Sequence, residues 1–133
     1  LALGQMLVFA SQLAPEPDRF LEGALYQLHY VLGRNALNTS FVSGVGQRYP
    51  RAIHHAVFAN DDLEVIHPGL LAGGPNPNLG ADETLPLYFD DSTPPAQCWV
   101  DHVDSWASNE NCILYNAPLV ALAFYLSGSK DRL

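Results

Sequence analysis

The chain has 133 residues, 48% of them apolar and 15% charged, with a mean hydropathy close to zero, which describes one globular domain at most and excludes collagen-like or compositionally disordered classes. Fourteen acids against six bases give a net charge of -8, and with no basic patch to offset it this excludes a nucleic-acid partner. The longest strongly apolar stretches, residues 1–13 and 117–126, fall short of the roughly 20 residues that span a bilayer, so no membrane-crossing helix is expected.

Residues 1–13 carry Leu3, Met6, Leu7 and Ala10 at helical spacing, and Pro15 and Pro17 close that segment. The stretch lacks a positive leading region and an initiator Met, so it reads as the interior of a longer protein rather than as a signal peptide. A second helix is predicted with Asp18 as N-cap, a face of Phe20, Leu21, Ala24, Leu25, Leu28 and Leu32, and Gly33 as a left-handed C-cap.

Residues 34–98 hold seven of the ten prolines and six of the ten glycines and show no sustained period. Short strands at residues 40–43 and 88–89 are compatible with the pattern. Phe41, Tyr49, Phe58, Tyr88 and Trp99 are too many aromatic anchors for a linker, so the segment reads as ordered loop that builds a site. From Trp106 onward the pattern is helical again, with Ser108 or Asn109 as N-cap, Pro118 fitting only a first turn or a kink, and Gly128 as the stop. The expected class is all-α with long ordered loops. The last helix is apolar nearly all round, from Leu119 to Leu126, and three helices offer it too little cover. It therefore packs against more protein than this chain supplies.

Asp101, His102, Asp104, Asn109 and Glu110 form the densest polar cluster, bracketed by Trp99, Trp106 and Tyr115. Flat rings beside carboxylates suit a sugar, whose C–H faces stack on the rings while the acids handle hydroxyls and protons. A solvated acidic turn fits the same residues. Trp106 and Tyr49 lean toward sugar contact, Phe124 and Tyr125 toward core, and His29 toward structure. His54, His55, Cys98 and His102 lack zinc-motif spacing, and Asp61, Asp62, Asp90 and Asp91 offer calcium oxygen ligands without an EF-hand pattern. Residues 73–77 lack the lysine of a phosphate-binding loop and read as a tight turn. Two cysteines do not make a disulfide framework, and a single Cys98–Cys112 bridge stays open.

Three segments in order, GRNALNTSFVSGVGQRYPRAIHH, HPGLLAGGPNP and CWVDHVDSWASNENCILYNAPLVALAFYL, resemble glycoside hydrolase family 9, the inverting cellulases with an (α/α)6 barrel. The resemblance implies the C-terminal part of such a catalytic domain, spanning residues 1–133. In the first motif Ser40, Val42, Ser43, Gly46, Arg48, Ile53 and His54 match, but Ala56 stands where the family has a sugar-binding arginine. In the last, Trp99, Asp101, Trp106, Glu110, Asn116 and Ala117 match, with Cys112 replacing a small residue.

By this likeness Glu110 is the general acid, Asp101 a supporting carboxylate and His54 a sugar ligand; Tyr49, Trp106, Asp104 and Tyr115, from the aromatic and acidic cluster, are read as facing substrate. The partners implied are a β-glucan or cellooligosaccharide and the remainder of the catalytic domain, with no cofactor and with a secreted or periplasmic location. The family's base belongs to a DAGD-type motif absent here, so the isolated chain is expected to be inactive. Acidic neighbours and burial would help a general acid hold its proton, and a helix N-terminus would oppose them. The altered subsite at Ala56 is compatible with an exo-acting glucosidase or a glucosaminidase of the same family. Rival readings are a non-catalytic helical module binding carbohydrate or protein, and a metal-stabilised domain built on the histidines and Cys98.

Overall fold

A computed structural model of the chain describes residues 1–57 and 66–128. It contains three substantial helices, α1 (Ala2–Ser11), α2 (Pro17–Val31) and α5 (Ile113–Gly128), and two single turns, α3 (Leu85–Tyr88) and α4 (Trp106–Asn109). Among the described residues there is no named strand, only isolated bridges.

α2 starts one residue before the predicted cap. Pro17 takes the first helical turn, where its missing N–H costs nothing, so Glu16 is the N-cap and Asp18 lies inside, facing the positive end of the helix dipole. The helix ends as its sequence predicts. Gly33 adopts a φ of +116°, and the amides of Arg34 and Gly33 turn back onto the carbonyls of His29 and Tyr30, the reciprocal bonding of a Schellman motif.

Leu21, Ala24, Leu28 and Val31 recur at three- and four-residue spacing and bury one stripe of α2 against Val8 of α1 and Leu119, Leu122 and Leu126 of α5. Phe41, Val42 and Leu71 extend this core from the loops. Close approach at the α1–α5 crossing needs Gly4, because a Cβ there would lie 2.7 Å from Cδ2 of Leu122.

Four expectations are corrected. The segment from Trp106 is not one helix: α4 ends after one turn and Glu110 is extended, with ψ of 142°, before α5 begins at Ile113. Ser108 and Asn109 therefore sit buried at the end of α4 rather than capping the last helix. Tyr88 closes the turn α3 and Val42 makes a single bridge to Leu71, so neither segment proposed as a strand becomes one. Pro118 lies within α5 past its first turn, so of the two placements open to it the first turn is ruled out and a kink is left.

Phe124 is also not core: it is 81% exposed, whereas Tyr125 packs against the core and accepts a hydrogen bond from the Gln12 side chain. The cause is the uniform apolarity of α5. Its Leu119, Leu122 and Leu126 stripe takes the available cover, leaving Ile113, Ala117, Val120 and Phe124 as a second stripe in the open. On α1, Leu3, Met6 and Phe9 are likewise exposed. Among the described residues no helix is long and apolar enough to cross a membrane.

Candidate active site

The loops converge on the segment Asn109, Glu110 and Asn111. On one side His54 forms a parallel bridge with Glu110: its amide donates to the Asn109 carbonyl at 3.0 Å and its carbonyl accepts the Asn111 amide at 3.3 Å. On the other side Ala72 bridges antiparallel to Asn111, and the Gly74 amide donates to the Ser108 carbonyl at 2.8 Å. Glu110 is thus the central residue of a three-segment patch of extended backbone. Asn109 and Asn111 are buried whereas Glu110 between them is half-buried, a difference that fits alternation of side chains along the extended Glu110–Asn111 backbone. His54, the bridge partner of Glu110, projects from the same face.

Polar side chains hold this segment in place. Asn109 is fully buried and its amide group donates to the Ala52 carbonyl at 2.8 Å and Asp101 Oδ1 at 3.3 Å. Asn111 donates to the Leu71 carbonyl at 2.8 Å. Asn116 Oδ1 accepts the Leu71 amide, joining the first turn of α5 to the same loop. A Cβ on Gly73 would lie 3.3 Å from the Ser108 carbonyl oxygen, so the loop passes closer to the Glu110 segment than most side chains allow.

The residues singled out in the sequence divide into those around Glu110 and those at a distance. Asp101 turns its carboxylate onto the Arg51 amide, 2.7 Å from Oδ2, and the Ala52 amide, 2.9 Å from Oδ1. Both oxygens are spent on backbone and on Asn109, which makes Asp101 the tie between the loop carrying His54 and the segment carrying Glu110. His54 Nδ1 hydrogen-bonds the Val103 carbonyl, which requires N–H at Nδ1 and leaves Nε2 of the neutral ring as an acceptor. Tyr115 lies near both Cys112 and Glu110. Burial first, then the neighbouring Cys112 and Glu110 side chains, push its phenol above the usual range.

Trp106 opens α4 and is half exposed. Tyr49 is half-buried, with the Arg51 guanidinium 4.9 Å above its ring. Asp104 is exposed, 3.8 Å from His102. Among the described residues no hydrogen bond or ring contact joins Tyr49 or Asp104 to Glu110. Trp99 packs edge-on against Phe41, with ring centres 5.5 Å apart, and its buried indole N–H has no partner. A cavity of about 550 Å³ lined by Tyr30, Phe41, Gly73, Leu114 and Tyr115 borders this constellation through Tyr115 and the Ala72–Gly74 loop.

The histidine and cysteine set proposed for zinc is dispersed. Cys98 is buried with its thiol toward the Thr93 and Pro94 carbonyls, and among the described residues no three His, Cys, Asp or Glu side chains converge to hold a metal ion. The Asp90 carboxylate closes its own turn onto Ser92 and Thr93, and those bonds hold it below the usual carboxylate range. Asp61 and Asp62 lie outside the described residues. Cys98 and Cys112 are both free thiols.

Asp82 was not singled out in the sequence. It is buried and accepts the amides of Thr84, Leu85 and Ala107 and the hydroxyl of Ser105. An Asp two residues before Thr84 and ahead of the Leu85–Pro86 helix start is an Asx-turn signal that pointed to the first two bonds.

The model of glycosyl hydrolase family 9 matches residues 2–123. A xyloglucan-specific endo-β-1,4-glucanase of Bacteroides ovatus is 41% identical over 120 residues, covering 90% of this chain and 19% of that protein. The crystal structure of the family 9 endoglucanase J30 superposes with a TM-score of 0.82 at 36% identity, over 92% of this chain and 22% of that one. AaCel9A, solved in complex with cellobiose-like isofagomine, matches with a TM-score of 0.69 at 31% identity, over 81% of this chain and 22% of that one. The chain spans about one fifth of the length of these relatives and carries helices of their (α/α)6 barrel. It belongs to glycosyl hydrolase family 9.

Proposed function

We propose that the chain is the C-terminal part of the catalytic domain of an inverting β-1,4-glucan hydrolase and that Glu110 is its general acid. The observation that carries this reading is the setting of Glu110. Its backbone is clamped between His54 and the Ala72–Gly74 loop while its side chain alone leaves the buried network. An acid that must meet one oxygen of a bound chain needs this combination of fixed backbone and free carboxyl.

In the reaction, the protonated Glu110 carboxyl gives its proton to the glycosidic oxygen as the C1–O bond breaks. A water attacks C1 from the opposite face, and a base roughly 6.5–9.5 Å from the acid takes the proton from that water. No DAGD-type motif occurs in these residues, so the base comes from the remainder of the catalytic domain. The Nε2 acceptor of His54 receives a sugar hydroxyl on the same face, and Asp101 keeps the His54 loop in register with Glu110 without itself moving a proton. Tyr115, Trp106, Tyr49 and Asp104 frame the surface on which the glucan lies. The substrate class is supported by the relatives, one a xyloglucan-specific endo-β-1,4-glucanase and another solved in complex with cellobiose-like isofagomine.

The exposed stripes on α1 and α5 are covered by the rest of the same domain, since a contiguous apolar face of this kind is seldom left to solvent. In the full-length protein Glu110→Gln is expected to lower kcat on cellotetraose by about 10²- to 10⁴-fold. Cellotetraose binding, measured by calorimetry, should stay close to that of the unaltered protein. Undiminished hydrolysis by this variant removes Glu110 from the acid role.

A further inference from the structure

Asp82 belongs to none of the motifs that point to Glu110, and its carboxylate is filled from within the chain. Oδ1 accepts the Leu85 amide at 2.7 Å and the Thr84 amide at 3.0 Å, and Oδ2 accepts the Ala107 amide at 2.9 Å and the Ser105 hydroxyl at 3.1 Å. A carboxylate has about four lone-pair sites, so nothing is left over for a sugar or a metal. Burial works against the ionised form, but the donors from Leu85, Ala107, Ser105 and Thr84 outweigh it and hold the carboxyl below the usual range.

What Asp82 grips is the start of α4, a helix of one turn. A single turn does not sustain itself, because nucleation fixes several residues for very few hydrogen bonds. Its N-cap Ser105 makes no capping bond with its own side chain, and the Ser105 hydroxyl instead meets Asp82 and the Ser108 hydroxyl, 2.8 Å away. Ser105, Ser108 and Asn109 are all fully buried. Ser108 and Asn109 then hold Gly74 and His54 through their carbonyls, and Glu110 follows. The bonds that run from Asp82 through Ser105 to Ser108 join buried side chains, and Ser108 and Asn109 lead directly into Glu110.

We propose that Asp82 is a positioning residue for Glu110, anchoring α4 from the 82–85 loop so that the acid carboxyl is held at the glycosidic oxygen. The inference rests on the reading of Glu110 as general acid. Asp82 touches no substrate; it acts by setting where the helix end, and hence the extended acid residue, sits. Asp101 steadies the same segment from the His54 side, so the two carboxylates grip opposite ends of a six-residue stretch, 105–110.

The test uses the full-length protein and two substrates, cellotetraose and 2,4-dinitrophenyl β-cellobioside. When the C1–O bond of cellotetraose breaks, the departing sugar is a poor alkoxide leaving group that needs the acid's proton, whereas dinitrophenolate leaves without one. Asp82→Asn keeps an acceptor for Thr84 and Leu85 but presents an NH2 group to the Ala107 amide. It is expected to lower kcat on cellotetraose by about 10- to 100-fold, with KM and the dinitrophenyl substrate changed by less than about threefold. Ser105→Ala, which removes one of the four bonds, should show the same pattern more weakly, and it carries the test on the same criterion if Asp82→Asn does not accumulate as folded protein. Equal losses on both substrates, or none, overturn the proposal, because a merely structural role scales both with the folded fraction. Glu110→Gln is assayed beside them. If it also lacks the leaving-group dependence, the acid reading fails; if it shows the dependence and the Asp82 and Ser105 variants do not, the positioning role alone fails.

Discussion

The helical layer and the loop layer of this chain are held together by different physics. α1, α2 and α5 meet through aliphatic stripes, Val8, Leu28, Leu122 and Leu126 among them, and only part of their apolar surface is covered. The loops add Phe41, Val42 and Leu71 to that core and bury Ile53 and Leu85 besides. They are joined by side chains that bind backbone: Asn35 to Leu37 and Thr39, Ser43 to His67 and Leu70, Asp82 to α3 and α4, Asp101 to Arg51 and Ala52, and Asn111 to Leu71. Hydrophobic burial is non-directional and tolerates a missing neighbour, whereas a buried polar clamp fixes one geometry and loses much of its value when one partner goes. A site that must place a carboxyl to within a fraction of an ångström is built in the second material, on a platform made of the first.

The sharpest way to break this contrast is at the exposed stripe of α5. In the full-length protein Phe124→Ala is expected to cost about 3–5 kcal/mol, the usual effect of emptying a buried phenylalanine site. In the isolated chain, where Phe124 faces solvent, the same change should stay within about 0.5 kcal/mol. Denaturant titration of both forms reads the difference, and equal small effects would mean that the stripe is uncovered in the whole protein too.

Next in size is the loop layer. Asn111→Ala leaves the Leu71 carbonyl without its buried donor and should cost about 1–3 kcal/mol, while also lowering kcat because the segment around Glu110 loosens. Loss of stability with unaltered kcat would separate the clamp from the site.

The smallest effect is set by pH. The folded Asp82 carboxyl lies below its usual value, so its ionised form stabilises the fold above the ordinary aspartate range near pH ~4, and that contribution is lost as pH falls through the folded value. Acid unfolding of the full-length protein should therefore be less steep in Asp82→Asn. An identical acid limb in the two proteins would contradict the assignment of this term to Asp82.

How much of this was legible in the sequence follows the same division. Helical period and the Gly33 stop outline α2 to within a residue or two, because burial of one face repeats every three or four positions and leaves a visible trace. The candidate site residues Glu110, His54 and Asp101 were singled out through the family motifs. The break between α4 and α5 was not, because Ser108 and Asn109 read equally as caps of one helix, and it is the bridges of His54 to Glu110 and of Ala72 to Asn111, from distant segments, that accompany the extended backbone there. Asp82 escaped for a related reason: its partners Ser105 and Ala107 lie more than twenty residues away, and no local period records a contact of that kind. Phe124 misled because apolarity alone does not say which chain supplies the cover.

The central claim is that Glu110 donates a proton to the leaving oxygen, and its most direct test is to offer the full-length Glu110→Gln protein a substrate that needs none. Fluoride departs without protonation, so hydrolysis of a cellobiosyl fluoride should fall far less than hydrolysis of cellotetraose, separating the two by about 10²-fold or more. Losses of equal size on the fluoride and on cellotetraose would contradict the account.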